Sequence, residues 1–88
     1  MKTRTVIVRC EHGLHARVAA KVVKLAKSHE ATVHIHCDGC PRVNACSILE
    51  LMLLGAGVGT RLHMLAEGPD EDAVIDALTG VFLEGGGI

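Results

Sequence analysis

Residues 32–44 read Thr32-Val33-His34-Ile35-His36-Cys37-Asp38-Gly39-Cys40-Pro41-Arg42-Val43-Asn44. Val33, Ile35 and Cys37 alternate with His34 and His36, the period of a half-buried strand. Asp38-Gly39 is a turn signal, and Pro41 after it confines Arg42-Val43-Asn44 to an edge strand, because proline donates nothing to a ladder. The segment thus reads as a strand, a tight turn and an edge strand.

Outward from this hairpin the same logic repeats. Thr3 to Arg9 alternates, with Val6 and Val8 facing in and Thr5, Ile7 and Arg9 facing out. Thr60 to Ala66 does the same, with Leu62, Met64 and Ala66 inward and Arg61, His63 and Leu65 outward. Between them, Ala16 to Ser28 places Val18, Ala19, Val22, Val23, Leu25 and Ala26 at helical spacing, with Lys21, Lys24 and Lys27 on the wet side. Ser47 followed by Glu50 predicts a capping box opening a short apolar helix, Ile48 to Leu54, stopped by Gly55 and Gly57. Gly68-Pro69-Asp70-Glu71-Asp72 opens a last helix whose expected buried face is Ala73, Val74, Ala77, Leu78, Val81 and Phe82. The order is βαββαβα. It predicts an α+β open-faced sandwich, a four-stranded antiparallel sheet covered on one face by three helices. One domain spans 1–88, with 85–88 expected as a flexible tail.

Composition narrows the function. Nine basic and ten acidic side chains give a net charge of −1, which argues against a nucleic-acid surface. Aromatics are 1% of the chain, so the core must be aliphatic around Phe82. No apolar run reaches the length of a membrane span and Met1-Lys2-Thr3-Arg4 precedes no signal-like segment, so a cytoplasmic protein without membrane insertion is expected. In that reducing setting Cys10, Cys37, Cys40 and Cys46 are expected as thiols. No cofactor is implied.

The chemistry lies in the first loop, His12-Gly13-Leu14-His15-Ala16-Arg17. An imidazole before a helix meets free N–H groups and the positive end of the helix dipole, where a phosphoryl group is stabilised. Gly13 lets the loop approach a ligand, and the Arg17 fork suits phosphate oxygens. Ser47 offers a second, esterifiable hydroxyl at another helix start. The segment Gly55-Ala56-Gly57-Val58-Gly59 leads into a strand and lacks a following Lys-Ser/Thr, so it is not a phosphate-cradling loop.

These residues resemble the HPr family, the histidine phosphocarriers of the bacterial phosphoenolpyruvate-dependent sugar phosphotransferase system. The resemblance runs through Gly13-Leu14-His15-Ala16-Arg17, Val43-Asn44, Ser47-Ile48, Leu53-Leu54-Gly55 and Ala66-Glu67-Gly68-Pro69-Asp70-Glu71. It implies a stoichiometric carrier and not an enzyme. Phospho-enzyme I would phosphorylate His15, Arg17 would steady the phosphoryl group, and an enzyme IIA domain would receive it. It also implies Ser47 as a regulatory site for an HPr kinase/phosphorylase, and a partner-docking surface of Ile48, Leu49, Leu51, Met52, Ala16 and Ala20 on a monomer. Val18 stands where the family usually has proline, and Gly39-Cys40-Pro41-Arg42 is one residue longer than in common sugar-branch members. The alternative is therefore a nitrogen-branch or purely regulatory HPr-like module controlling a transcription factor or kinase. If the family sheet order holds, His34, His36 and His63 share the open face. A solvated polar face without metal is the expectation there, and a divalent metal on the three imidazoles is the alternative.

Overall fold

A computed structural model describes residues 1–9, 16–54 and 57–83. Its elements follow the expected order: β1 (Lys2–Ile7), α1 (Ala16–Lys27), β2 (Thr32–Cys37), β3 (Val43–Asn44), α2 (Ile48–Leu54), β4 (Arg61–Glu67) and α3 (Glu71–Leu83). The four strands form one sheet in the order β1-β4-β2-β3. Every neighbouring pair is antiparallel.

Alternation decides which face is dry. Val6, Val33, Ile35, Leu62, Met64 and Ala66 are buried, and against them pack Val18, Ala19, Val22 and Ala26 of α1, Leu51 of α2, and Val74, Ile75, Leu78, Val81 and Phe82 of α3. The helical period places Ile75 inward and leaves Ala73 exposed, reversing the expectation for those two positions. Burial favours the larger side chain, worth about 1.5–3 kcal/mol for an isoleucine-sized group. No buried side-chain N or O among the described residues lacks a partner.

β1 covers Lys2–Ile7 where 3–9 was expected, β4 covers Arg61–Glu67 where 60–66 was expected, and α1 ends at Lys27, one residue early. Two further boundaries differ for a backbone reason. The β3 ladder holds only Val43 and Asn44, paired with Ile35 and His34. Beyond it the Asn44 side chain accepts from Cys46 N–H at 2.8 Å, turning the chain toward α2. At the other end, α3 starts at Glu71, leaving Pro69 in the turn before it. Gly68 takes φ +143°, and a Cβ there would lie 2.6 Å from the Glu30 carbonyl oxygen. Asp70 ties this turn to the α1–β2 connection: its N–H donates to Glu30 O at 3.1 Å and its Oδ2 accepts from Glu30 N–H at 2.7 Å. Glu71 accepts from Gly68 N–H and sits 3.2 Å from the Met1 amino group, and in that order these hold its carboxyl below the usual carboxylate range. The tail expected at 85–88 lies outside the described residues.

The cysteine expectation is corrected. Cys37 and Cys40 form a disulfide. Their turn explains it: Cys40 N–H donates to Cys37 O at 3.0 Å and Gly39 takes φ +76°. This brings the two Cα atoms to 5.2 Å, inside the range a disulfide requires. Cys46 is a free thiol.

Candidate functional site

The sequence places His15 directly before Ala16, the first residue of α1. His15 itself, with Cys10, His12, Gly13 and Leu14, lies outside the described residues. What the structure describes is the ground on which it stands. The first turn of α1 carries no acidic side chain, so none within it offsets the positive end of the helix dipole. Arg17 lies in that turn, exposed to solvent. Val18, where the family usually has proline, is fully buried and anchors the turn to the core.

α2 packs against α1. Ser47 is its N-cap: the Glu50 N–H donates to Ser47 Oγ at 3.3 Å. The reciprocal half of the expected capping box is redirected. Ser47 N–H already donates to Asn44 O at 3.0 Å, so Glu50 Oε1 accepts from Asn44 N–H at 3.2 Å instead. The cap thus locks α2 to the end of β3.

The apolar side chains of α2 divide sharply. Ile48 is 41% exposed, Leu49 75%, Met52 41% and Leu53 85%, while Leu51 is fully buried. Leu51 therefore leaves the expected docking surface: as the only buried residue of α2, it anchors the helix to the core. Leu53, which the sequence reading did not single out, belongs to the surface. Its position two residues from Leu51, on the opposite side of a 3.6-residue turn, is the signal that finds it. Ala16 and Ala20 are exposed on α1, as expected. Four large apolar side chains of one short helix are thus held in water.

The open sheet face separates the three histidines. His36 and His63 are directly opposed across β2 and β4, with ring centroids 4.8 Å apart. His34 is opposed to Leu65 instead, two residues along, about 6.6 Å away by strand geometry. Both His63 nitrogens are occupied, Nδ1 with Thr5 Oγ1 at 2.9 Å and Nε2 with Asp38 Oδ1 at 2.6 Å. No metal-ligating group of three His, Cys, Asp or Glu occurs among the described residues, so the three-imidazole metal reading does not hold. Asp38, read from sequence only as a turn residue, organises this face. It also meets Arg61 at 3.9 Å. Its carboxyl is held below the usual carboxylate range, first by the hydrogen bond with His63, which outweighs the opposing effect of burial, and then by the nearby His63, Arg61 and His36 charges.

Comparison with known proteins is consistent along the chain. Residues 2–84 match the family model for the PTS HPr component phosphorylation site. The phosphocarrier protein HPr of Treponema pallidum is 39% identical over 82 residues, covering 93% of this chain and 92% of that protein. A crystal structure of HPr from Thermoanaerobacter tengcongensis is 35% identical, with a TM-score of 0.92 over 100% of this chain and 98% of that one. Bacillus subtilis Crh, whose crystal structure is described as a swapped dimer, is 36% identical with a TM-score of 0.75 over 97% of both chains. Curated relatives carry the names HPr, NPr and Crh.

Proposed function

The chain belongs to the HPr family of phosphocarriers, which carry a phosphoryl group and are not enzymes, and from that premise we propose that it accepts the group from phospho-enzyme I on His15 and donates it to an enzyme IIA domain. The observation that carries the reading is Arg17 exposed in the first turn of α1, whose first residue His15 precedes in the sequence, together with the exposed Ile48, Leu49, Met52 and Leu53 of the adjacent α2. Nδ1 of His15 would attack phosphorus in line as the donor's bond breaks. The product phosphoramidate keeps a high transfer potential, because a protonated ring nitrogen leaves readily. The protein's part is positioning and charge stabilisation. Arg17 supplies the charge, and the apolar patch, with Ala16 and Ala20, supplies the docking face. The chain acts as one domain and as a monomer in the cytoplasm. Among the described residues no helix is long and apolar enough to cross a membrane.

Incubation with enzyme I and labelled phosphoenolpyruvate should yield an acid-labile, base-stable phosphate that disappears in His15→Ala. No label on the unsubstituted chain would overturn the proposal. Arg17→Ala should slow transfer roughly 10- to 100-fold, the worth of one charge-assisted hydrogen bond.

Ser47 is proposed as a regulatory site for an HPr kinase/phosphorylase. A phosphate there adds close to two negative charges beside the docking face. Ser47→Asp should reduce labelling by enzyme I, and unchanged labelling would refute the role. The nitrogen-branch or purely regulatory reading draws support from the relatives named NPr and Crh. Transfer from phosphorylated His15 to a sugar-specific IIA domain separates it from the sugar branch.

A further inference from the structure

We propose that the Cys37–Cys40 pair is a reversible thiol–disulfide exchange site for dithiols, and that its redox state reshapes the groove beside α2. The exchange stands whether or not the phosphoryl relay does. Only its consequence for partner docking rests on that reading.

Three observations converge on the β2–β3 turn. First, the two sulfurs are unequally accessible: Cys37 is buried at 7% exposure, whereas Cys40 is half-buried at the surface. An incoming thiolate reaches Cys40 Sγ and not Cys37 Sγ. Second, the turn is held by more than the disulfide. Cys40 N–H donates to Cys37 O, Asp38 is held by His63 and Arg61, and β3 pairs with β2 on the far side. Opening the S–S bond therefore leaves the two thiols near each other and ready to close again. Third, Cys40 lines an apolar groove of about 300 Å³ with Pro41, Val43, Glu50, Leu53 and Leu54. The groove joins the redox turn to the helix that displays Leu53. In a reducing compartment, disulfides of this kind are typically transient and redox-sensing.

The chemistry balances as a two-electron exchange. A dithiol thiolate attacks Cys40 Sγ, forming a mixed disulfide as the Sγ–Sγ bond breaks. Cys37 Sγ leaves with the electron pair and takes a proton from solvent. The second thiolate of the dithiol then attacks its partner sulfur in the mixed disulfide, expelling the Cys40 thiolate, which takes the second proton. The dithiol is oxidised to a cyclic disulfide and the protein pair is reduced. Reduction frees the Cys40 side of the groove from Cys37, so the wall facing Glu50 and Leu53 shifts.

The full chain is equilibrated in defined ratios of reduced to oxidised dithiothreitol, quenched with N-ethylmaleimide and digested with trypsin. The peptide spanning residues 28–42 contains Cys37 and Cys40 and neither of the other cysteines. It should be internally closed at the oxidising end and doubly alkylated at the reducing end, with one transition that retraces in both directions. In ¹H–¹⁵N spectra of the two end states, the amides of Glu50, Leu53 and His63 should shift. Two alkylated cysteines at the oxidising end, or pairing of Cys37 or Cys40 with Cys10 or Cys46 instead, would overturn the exchange site. Unmoved Glu50 and Leu53 amides would overturn the coupling to α2. Enzyme I labelling of both end states reads the docking consequence separately: a rate difference is expected, and equal rates would sever the redox turn from docking.

Discussion

Helices α2 and α3 are both rich in large apolar side chains, and they dispose of them in opposite ways. α3 turns Val74, Ile75, Leu78, Val81 and Phe82 into the core, and its acidic side chains meet β1: Asp76 bonds Arg4 at 2.8 Å and Asp72 lies 3.4 Å from Lys2. Six of the seven residues of α2 are apolar, yet only Leu51 is buried. A helix that stabilises the fold hides its apolar stripe. One that keeps Leu49 and Leu53 in water forgoes that stabilisation, which is reasonable where a partner supplies the missing contact. Apolar content alone therefore does not tell a buried helix face from an exposed one; packing against the core does.

Truncation in the core of each helix is the strongest way to break this contrast. Leu78→Ala in α3 and Leu51→Ala in α2 should each cost about 2–5 kcal/mol, because both remove a fully buried side chain and leave a cavity. Urea denaturation checks this. Should Leu51→Ala prove neutral, α2 would not be anchored as described.

Next in size is Gly68→Ala, in the turn that leads into α3. Both the positive φ and the approach to the Glu30 carbonyl oppose any Cβ, so a loss of roughly 1–3 kcal/mol is expected in the same assay. Gly39→Ala tests only the φ requirement, since a Cβ there meets nothing within 4 Å, and it should cost less than Gly68→Ala.

Leu53→Ala sharpens the contrast from the other side. At 85% exposure its removal should change stability by less than about 0.5 kcal/mol. The same substitution should raise the enzyme I concentration needed for half-maximal labelling. A stability loss as large as that of Leu51→Ala would erase the distinction between the two leucines.

The smallest effect is electrostatic. The Asp38 carboxyl is held low in the folded state, first by its hydrogen bond with His63. The stability it contributes is present above the ordinary carboxylate value of about 4 and is lost as pH falls through the lowered folded value. Glu71 acts in the same direction at the opposite end of β4. Thermal unfolding followed into acid should show a shallower decline for Asp38→Asn than for the unsubstituted chain. Identical slopes would show that the Asp38–His63 contact contributes nothing to the acid response.

The candidate site was legible to unequal depth. His15, Arg17 and Ser47 could be named because their chemistry is local: an imidazole and a guanidinium at a helix start, and a hydroxyl at a helix cap. The capping box was half legible. Ser47 was the cap, but the Glu50 partner depended on Asn44 having already taken the Ser47 N–H. Hydropathy did not separate Leu51 from Leu53; helical spacing puts them on opposite faces, and packing against the core decided which face is dry.

Alternation and helical period, both local steric facts, determined from sequence alone the order of the elements and the dry faces of β1, β2 and β4. Glycine at position 39 likewise marked a turn whose backbone angle other residues resist, whereas Gly68 was read as opening the last helix and only the structure put it in the turn before α3. Tertiary structure alone decided what sits across from what. Register placed His36 against His63 and His34 against Leu65, which dissolved the three-imidazole metal site. The turn at Asp38-Gly39 brought two cysteines expected as thiols into a disulfide and aimed Asp38 at His63. These pairings are set by hydrogen-bond ladders between distant segments, and local sequence preference carries no information about them.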